Sequence, residues 1–179
     1  MKTTACSLLV ALCGVVGSFG AEPAAEAGFV AISDGKGFAG WEQSGNWVIE
    51  EGAFYRKEKG GPLTYTAANV PDDFELRFEW KVSRGCNSGV YYRPGQVEYQ
   101  VLDNSGSPYG ENARQAAASI FFCMAPSEDA TLPVGEWNTA RVICQGTVIE
   151  HWLNEKRVLS FGVFAVLCGT RGKSRLKEA

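Results

Sequence analysis

Nine residues from Phe74 to Val82 alternate without a break: Phe74, Leu76, Phe78, Trp80 and Val82 are apolar or aromatic, and Glu75, Arg77, Glu79 and Lys81 between them are charged. A period of two over that length is the pattern of a half-buried β-strand. Its apolar face needs a core to pack on, and its charged face is left for solvent or for a ligand. No stretch of the chain shows a comparable helical period, so the architecture must be built from strands.

A second β-patterned unit follows at once. The runs Val90 to Arg93 and Val97 to Leu102 are joined by Pro94-Gly95-Gln96, residues that suit a tight turn. The spacing predicts a hairpin in which Glu98 and Gln100 share one face while Val97, Tyr99 and Val101 share the other. Tyr91, Arg93, Glu98 and Gln100 would then gather much hydrogen-bonding capacity in a small area. If the charged face of the Phe74 strand lies alongside, the two form a groove of carboxyl and amide groups backed by aromatics, as sugar binding requires; a plain solvated face would show the same alternation.

The rest of the chain repeats the theme of short strands and turns. Phe29 to Ile32 opens the fold, and Asp34-Gly35-Lys36-Gly37 makes a turn. Trp47 to Tyr55 reads as a hairpin turning at Glu51-Gly52. Arg141 to Cys144 turns through Gln145-Gly146 into Val148 to Leu153, which ends at Asn154-Glu155 and carries His151, the single histidine. Residues 104 to 118 are expected as a long loop beside the Glu98 strand, and Ser119 to Cys123 as a further short strand. Trp41, Trp47, Trp80, Trp137 and Trp152 are expected mainly in the core. The sum is an all-β sandwich or jelly roll without internal repeats.

The 179 residues suit one domain. Residues 1 to 20 read as a secretory signal, with Lys2, an apolar run from Leu8 to Val16, and small residues Ser18 and Gly20 before Ala21. The run is too short for a membrane span, and Leu12 before Cys13 is a poor lipid-anchor context. A linker at 21–28, the domain at 29–161 and an atypical tail at 162–179 complete the division, and the protein is expected in the periplasm or outside the cell. The net charge of −3 becomes −4 once Lys2 is removed, leaving 16 basic against 20 acidic residues. That balance excludes nucleic acid and anionic membranes as electrostatic partners. Outside the leader lie Cys86, Cys123, Cys144 and Cys168; export permits disulfides, with three pairings open.

Several motifs, taken in order, resemble one family. They are Phe29 to Trp41 with Asp34-Gly35-Lys36 inside, Gly60-Gly61-x-Leu63-Thr64, Asp73-Phe74-Glu75-Leu76, Glu79-Trp80-Lys81, Asn87-Ser88-Gly89-Val90, Arg93, Glu98 to Asp103, Gly135-Glu136-Trp137-Asn138 and His151-Trp152-Leu153-Asn154. Together they are similar to the 3-keto-disaccharide hydrolase domain family over about residues 29 to 161. The resemblance implies a concanavalin A-like jelly-roll sandwich of two antiparallel sheets and cleavage of 3-keto-glycosides. The family pattern would continue past Phe161 into closing strands; residues 162 to 179 match none of it, so an incomplete sheet with an open edge is expected.

The implied chemistry is elimination. A ketone at C3 acidifies the C2 proton, a base removes it, and the group on C1 departs before water adds. On this resemblance Glu98 is the base or proton shuttle, Arg93 holds the oxyanion, and His151 is a further catalytic candidate. Glu79, Asn87, Tyr91, Gln100 and Asp103 would bind substrate. The plainer alternatives are an Arg93–Glu98 ion pair, Asp103 as a turn former and His151 as a structural hydrogen-bonder. A carbohydrate-binding module on the same architecture is the rival function. A direct retaining glycosidase is disfavoured, because the Glu98 face offers Gln100 where a second acid is needed. No cofactor is implied; Asp103 and Asn104 offer oxygen ligands to a divalent metal, but no loop has a recognisable metal spacing. The oligomeric state is open.

Overall fold

The computed structural model describes residues 9–11, 28–92 and 97–162. Its strands, in chain order, are β1 (Leu9–Ala11), β2 (Trp41–Glu42), β3 (Trp47–Glu50), β4 (Ala53–Arg56), β5 (Thr64–Tyr65), β6 (Phe74–Lys81), β7 (Asn87–Tyr92), β8 (Val97–Leu102), β9 (Asn138–Gln145), β10 (Val148–Leu153) and β11 (Lys156–Gly162). A single 3₁₀ turn, Ala113–Gln115, is the one helical element among the described residues.

These strands form a β sandwich. The larger layer is a seven-stranded antiparallel sheet in the order β11-β10-β9-β6-β1-β4-β3, the smaller is the β7–β8 pair, and β2–β5 makes a short separate ribbon. This is the all-β, jelly-roll architecture expected from the strand pattern, with its sheets open rather than closed into a barrel. The Arg93 to Gln96 turn and the tail after Gly162 lie outside the described residues, as does the leader apart from Leu9–Ala11.

Turn chemistry accounts for the tight hairpins. Glu51 and Gly52 join β3 to β4 with φ values of 51° and 79°, and Asn154 and Glu155 join β10 to β11 with 47° and 66°. Two successive left-handed residues make the type I′ turn whose twist matches paired strands. The Ser119 to Cys123 segment departs from expectation. Ala118 and Phe122 take φ of 62° and 63°, so the chain turns on either side of Ile120, leaving only isolated bridges to Tyr99 and Met124. Ile120 reaches the core from a turn instead of a strand, while Phe122 stays exposed.

Alternation decides what fills the space between the sheets. From β6 come Phe78 and Trp80, from β9 Ala140, Val142 and Cys144, and from β10 Ile149, His151 and Leu153; all are buried. Val97, Tyr99 and Val101 of β8 meet them from the other layer. Edge-to-face contacts tie the layers together, with Phe78 and Tyr99 ring centres 5.3 Å apart and Phe74 and Tyr92 6.2 Å apart, a geometry that adds to burial itself. Cys86, at the entrance to β7, is buried and disulfide-bonded.

The charged side of β6 is a worked surface. Arg77 stands opposite Arg141 of β9, and Arg141 opposite Trp152 of β10. Facing like charges would repel. The repulsion is offset by Glu75, which lies 2.6 Å from Arg77 and 3.7 Å from Arg141, and by stacking of Arg77 on Phe29 and Arg141 on Trp152. Trp80 and Trp47 are core residues as expected, whereas Trp137 and Trp152 lie partly exposed beneath Lys81 and Arg141.

Candidate functional site

The register of β7 on β8 pairs Asn87 with Leu102, Gly89 with Gln100 and Tyr91 with Glu98. Side chains alternate along each strand. Asn87, Gly89, Tyr91, Glu98 and Gln100 therefore share the face turned away from the large sheet, while Tyr92, Val97, Tyr99 and Val101 point into the core. The loop expected beside β8 is there: Gln100 N–H donates to the Ser119 carbonyl, and Ala118 N–H donates to the Gln100 carbonyl.

Glu98 is the chemical centre of this face. Burial pushes its carboxyl above the usual glutamate value, against the opposing effect of a hydrogen bond from the Tyr91 hydroxyl. The Tyr91 phenol is itself raised, by partial burial first and then by the neighbouring Glu98 charge. Its ring nevertheless stands 60% exposed, an amphipathic surface set beside the carboxyl. Gln100 is fully buried. Its amide nitrogen donates to Asn87 Oδ1 at 3.1 Å; with both this amide and that of Asn87 turned over, the Gln100 nitrogen donates instead to the Ser88 carbonyl at 2.8 Å and to Glu98 Oε1 at 3.2 Å. A carboxyl held between a phenol and an amide, and partly stripped of water, holds its proton more readily than a free glutamate and is a candidate proton shuttle.

Gly89 makes that placement possible, and the expectations from sequence passed over it. A methyl group built on Gly89 would collide with Oε1, Cγ and Cδ of Glu98, so the carboxyl lies across bare backbone. The available signal was a glycine inside a strand pattern, which marks a close approach. Gly89→Ala is expected to displace Glu98 and lower turnover about 100-fold, with the circular dichroism spectrum unchanged. Steady-state kinetics on the folded variant measures it.

Other sequence candidates lie elsewhere. Glu79 shares the outer side of β6 with Glu75 and Arg77. Phe78 and Trp80 face the layer that Tyr99 faces from β8, so Glu79 and Glu98 lie on opposite outsides of the sandwich. The single groove expected from both polar faces is therefore not formed. His151 is fully buried. Its Nδ1 lies 2.8 Å from the Ala118 carbonyl and its Nε2 2.6 Å from the Tyr92 hydroxyl. Nδ1 therefore carries the proton and donates it, and Nε2 accepts from Tyr92. Burial pushes the imidazole down to about 4, against the opposing Ala118 hydrogen bond. Arg93 lies outside the described residues.

Asp103 closes β8 and is almost wholly buried. Its carboxylate accepts from Gly85 N–H at 2.7 Å, Ser105 N–H at 3.0 Å, Ser105 Oγ at 2.8 Å and Gly106 N–H at 2.9 Å. Burial alone would raise its pKa, but those hydrogen bonds together win and hold it below the ordinary carboxylate value. A cavity of about 660 Å³ opens past this point, walled by Trp80, Leu102, Asp103, Asn104, Glu111 and Asp129 among others. Two of its carboxylates are already engaged, Asp103 as above and Asp129 by the N–H and hydroxyl of Thr131. The Glu98 face, whose carboxyl is raised by burial where Asp103 and Asp129 are lowered, is the better placed for proton transfer. Among the described residues no three His, Cys, Asp or Glu side chains gather to hold a metal ion.

Comparison with known proteins covers the same stretch of chain. Residues 28–165 match the family described as the 3-keto-alpha-glucoside-1,2-lyase-like domain. The chain is 32% identical over 170 residues to a 3-keto-disaccharide hydrolase of Bacteroides thetaiotaomicron, a match taking in 75% of this chain and 58% of that protein. It thus spans little more than half the length of that relative. Two crystal structures of proposed glycosyl hydrolases from Parabacteroides distasonis share the fold at 23% identity. One has a TM-score of 0.62 over 73% of this chain and 70% of its own, the other 0.60 over 72% and 63%.

Proposed function

The chain belongs to the 3-keto-alpha-glucoside-1,2-lyase-like domain family, and from that membership we propose that it cleaves 3-keto-glycosides by elimination and hydration, with Glu98 moving the proton. The observation that carries this reading is the Glu98 carboxyl on an accessible face, raised by burial and held by Tyr91 and Gln100. In the reaction, the Glu98 carboxylate takes the proton from C2 and the C–H electron pair forms the enolate on C3. The enolate collapses, the C1–O bond breaks, and the aglycone leaves with a proton. Water then adds at C1 and a proton returns to C2, so the balance is hydrolysis.

In this reading Tyr91 and Asn87 contact the sugar, and Gln100 fixes the orientation of the carboxyl. Arg93, next after Tyr92 in sequence, is our candidate to stabilise the enolate oxygen. His151 serves the fold rather than the chemistry, Asp103 orders its loop, and Glu79 belongs to the other outer surface. The leader-like residues 1–20 support a periplasmic or extracellular location in this reading; no helix among the described residues is long and apolar enough to cross a membrane.

The test is mass-resolved turnover of a 3-keto-glucoside beside its unoxidised parent. Cleavage of the keto sugar alone, with solvent deuterium appearing at C2 of the product, is the expected result. Cleavage of both sugars, or of neither, sinks the elimination reading; binding without cleavage would identify a carbohydrate-binding module.

A further inference from the structure

The seven-stranded sheet is continuous because β1 fills the place between β4 and β6. Leu9 is paired with Tyr55 on one side and Lys81 on the other, Val10 with Phe54 and Trp80, and Ala11 with Glu79. Both pairings are antiparallel, so this short strand completes two ladders at once. Take it away and β4 keeps only β3, β6 keeps only β9, and the β3–β4 hairpin loses its strand pairing to the rest of the sheet. The gap is bordered by Phe54 and Trp80, each 1% exposed. An unpaired edge with apolar residues at this depth is a template for another strand.

The strand that fills the gap lies within the apolar run Leu8 to Val16, which the sequence marks as the core of an export leader removed before Ala21. On that reading the same residues serve as leader and as sheet strand. We propose that the gap between β4 and β6 is a strand-acceptor site whose occupant is the leader strand, held in cis before processing and able to bind in trans afterwards. The recognition chemistry is β-augmentation: ladder hydrogen bonds supply affinity, and the one position in register with buried Phe54 and Trp80 selects an apolar residue there.

Val10→Pro in the full chain tests the cis half, because proline cannot donate to a ladder in mid-sheet. The expected result is a fall in Tm of about 10 °C and hydrogen exchange about 100-fold faster at residues 54–55 and 79–81, with β9 and β10 still protected. Unchanged Tm and protection overturn the proposal. If the variant does not fold, the trans half decides. A protease site placed after Ala24 is cut in the folded full chain under reducing conditions, followed by gel filtration. Co-elution of the leader fragment, and saturable recovery of Tm by a Ser7–Leu12 peptide after the fragment is washed away, support it. An equal Tm with and without the fragment overturns it. So does a dimer whose second copy protects the same edges, since the occupant would then be another chain.

Discussion

Glu98→Gln is expected to lower turnover of a 3-keto-glucoside by about 10² to 10⁴-fold and, at neutral pH, to make the protein more stable. Both effects follow from one environment. The Glu98 carboxyl is raised chiefly by burial, with the Tyr91 hydrogen bond working against the rise. A carboxyl whose folded pKa lies above its unfolded value of about 4.5 binds its proton more tightly in the native state. The stability it lends is therefore complete below pH 4.5 and is lost as pH rises through the folded value. At neutral pH the native state bears the cost of an ionised, half-dehydrated side chain, a cost that the isosteric amide does not incur. Thermal melts should show the variant above the wild type at pH 7, the difference shrinking to nothing below pH 4.5. The wild-type rate should rise with pH along a limb centred above 4.5, where the base form accumulates. Full activity in a folded Glu98→Gln protein would remove this carboxyl from the mechanism.

Much of this arrangement is legible in the chain before any coordinates. Alternation from Phe74 to Lys81 specifies β6, and Pro94-Gly95 between two β-patterned runs specifies the β7–β8 pair that gathers Tyr91, Glu98 and Gln100. Turn chemistry is equally readable at Glu51-Gly52. What alternation does not report is the identity of the neighbouring strand. β6 pairs with β9, some sixty residues further on, rather than with the hairpin that follows it. Two polar faces that look contiguous along the sequence therefore end on opposite outsides of the sandwich, separating Glu79 from Glu98.

Local saturation is the second blind spot. Asp103 resembles a ligand-binding acid until its four donors are counted, and those come from Gly85 and from the turn after it. Ser119 to Cys123 reads as a strand by composition, yet left-handed backbone on both sides of Ile120 makes it a turn. The burial of His151 was within reach of the pattern. Ile149, His151 and Leu153 alternate with Val148, Glu150 and Trp152, so the imidazole occupies the apolar side of its strand.

That burial makes acid sensitivity the second large effect. The His151 imidazole is pushed down to about 4 by burial, against the opposing hydrogen bond to Ala118, whereas in the unfolded chain it titrates near 6.5. For a histidine with a depressed folded pKa, the stability it contributes is complete above the unfolded value and is lost as pH falls, because only the unfolded chain takes up the proton. The gap corresponds to roughly 3 kcal/mol surrendered between pH 6.5 and 4. Glu98 acts in the opposite sense over part of that range, so urea unfolding is best followed on the Glu98→Gln background. There the wild-type His151 should show the decline and His151→Gln should lack it, while being less stable at pH 7 through loss of the fitted contacts to Tyr92 and Ala118. An equal decline in both would show that the imidazole is not buried in solution. The same substitution in the active chain separates structure from chemistry: the acid limb of the pH–rate profile should stay where Glu98 puts it, and a shift of that limb would return His151 to the reaction.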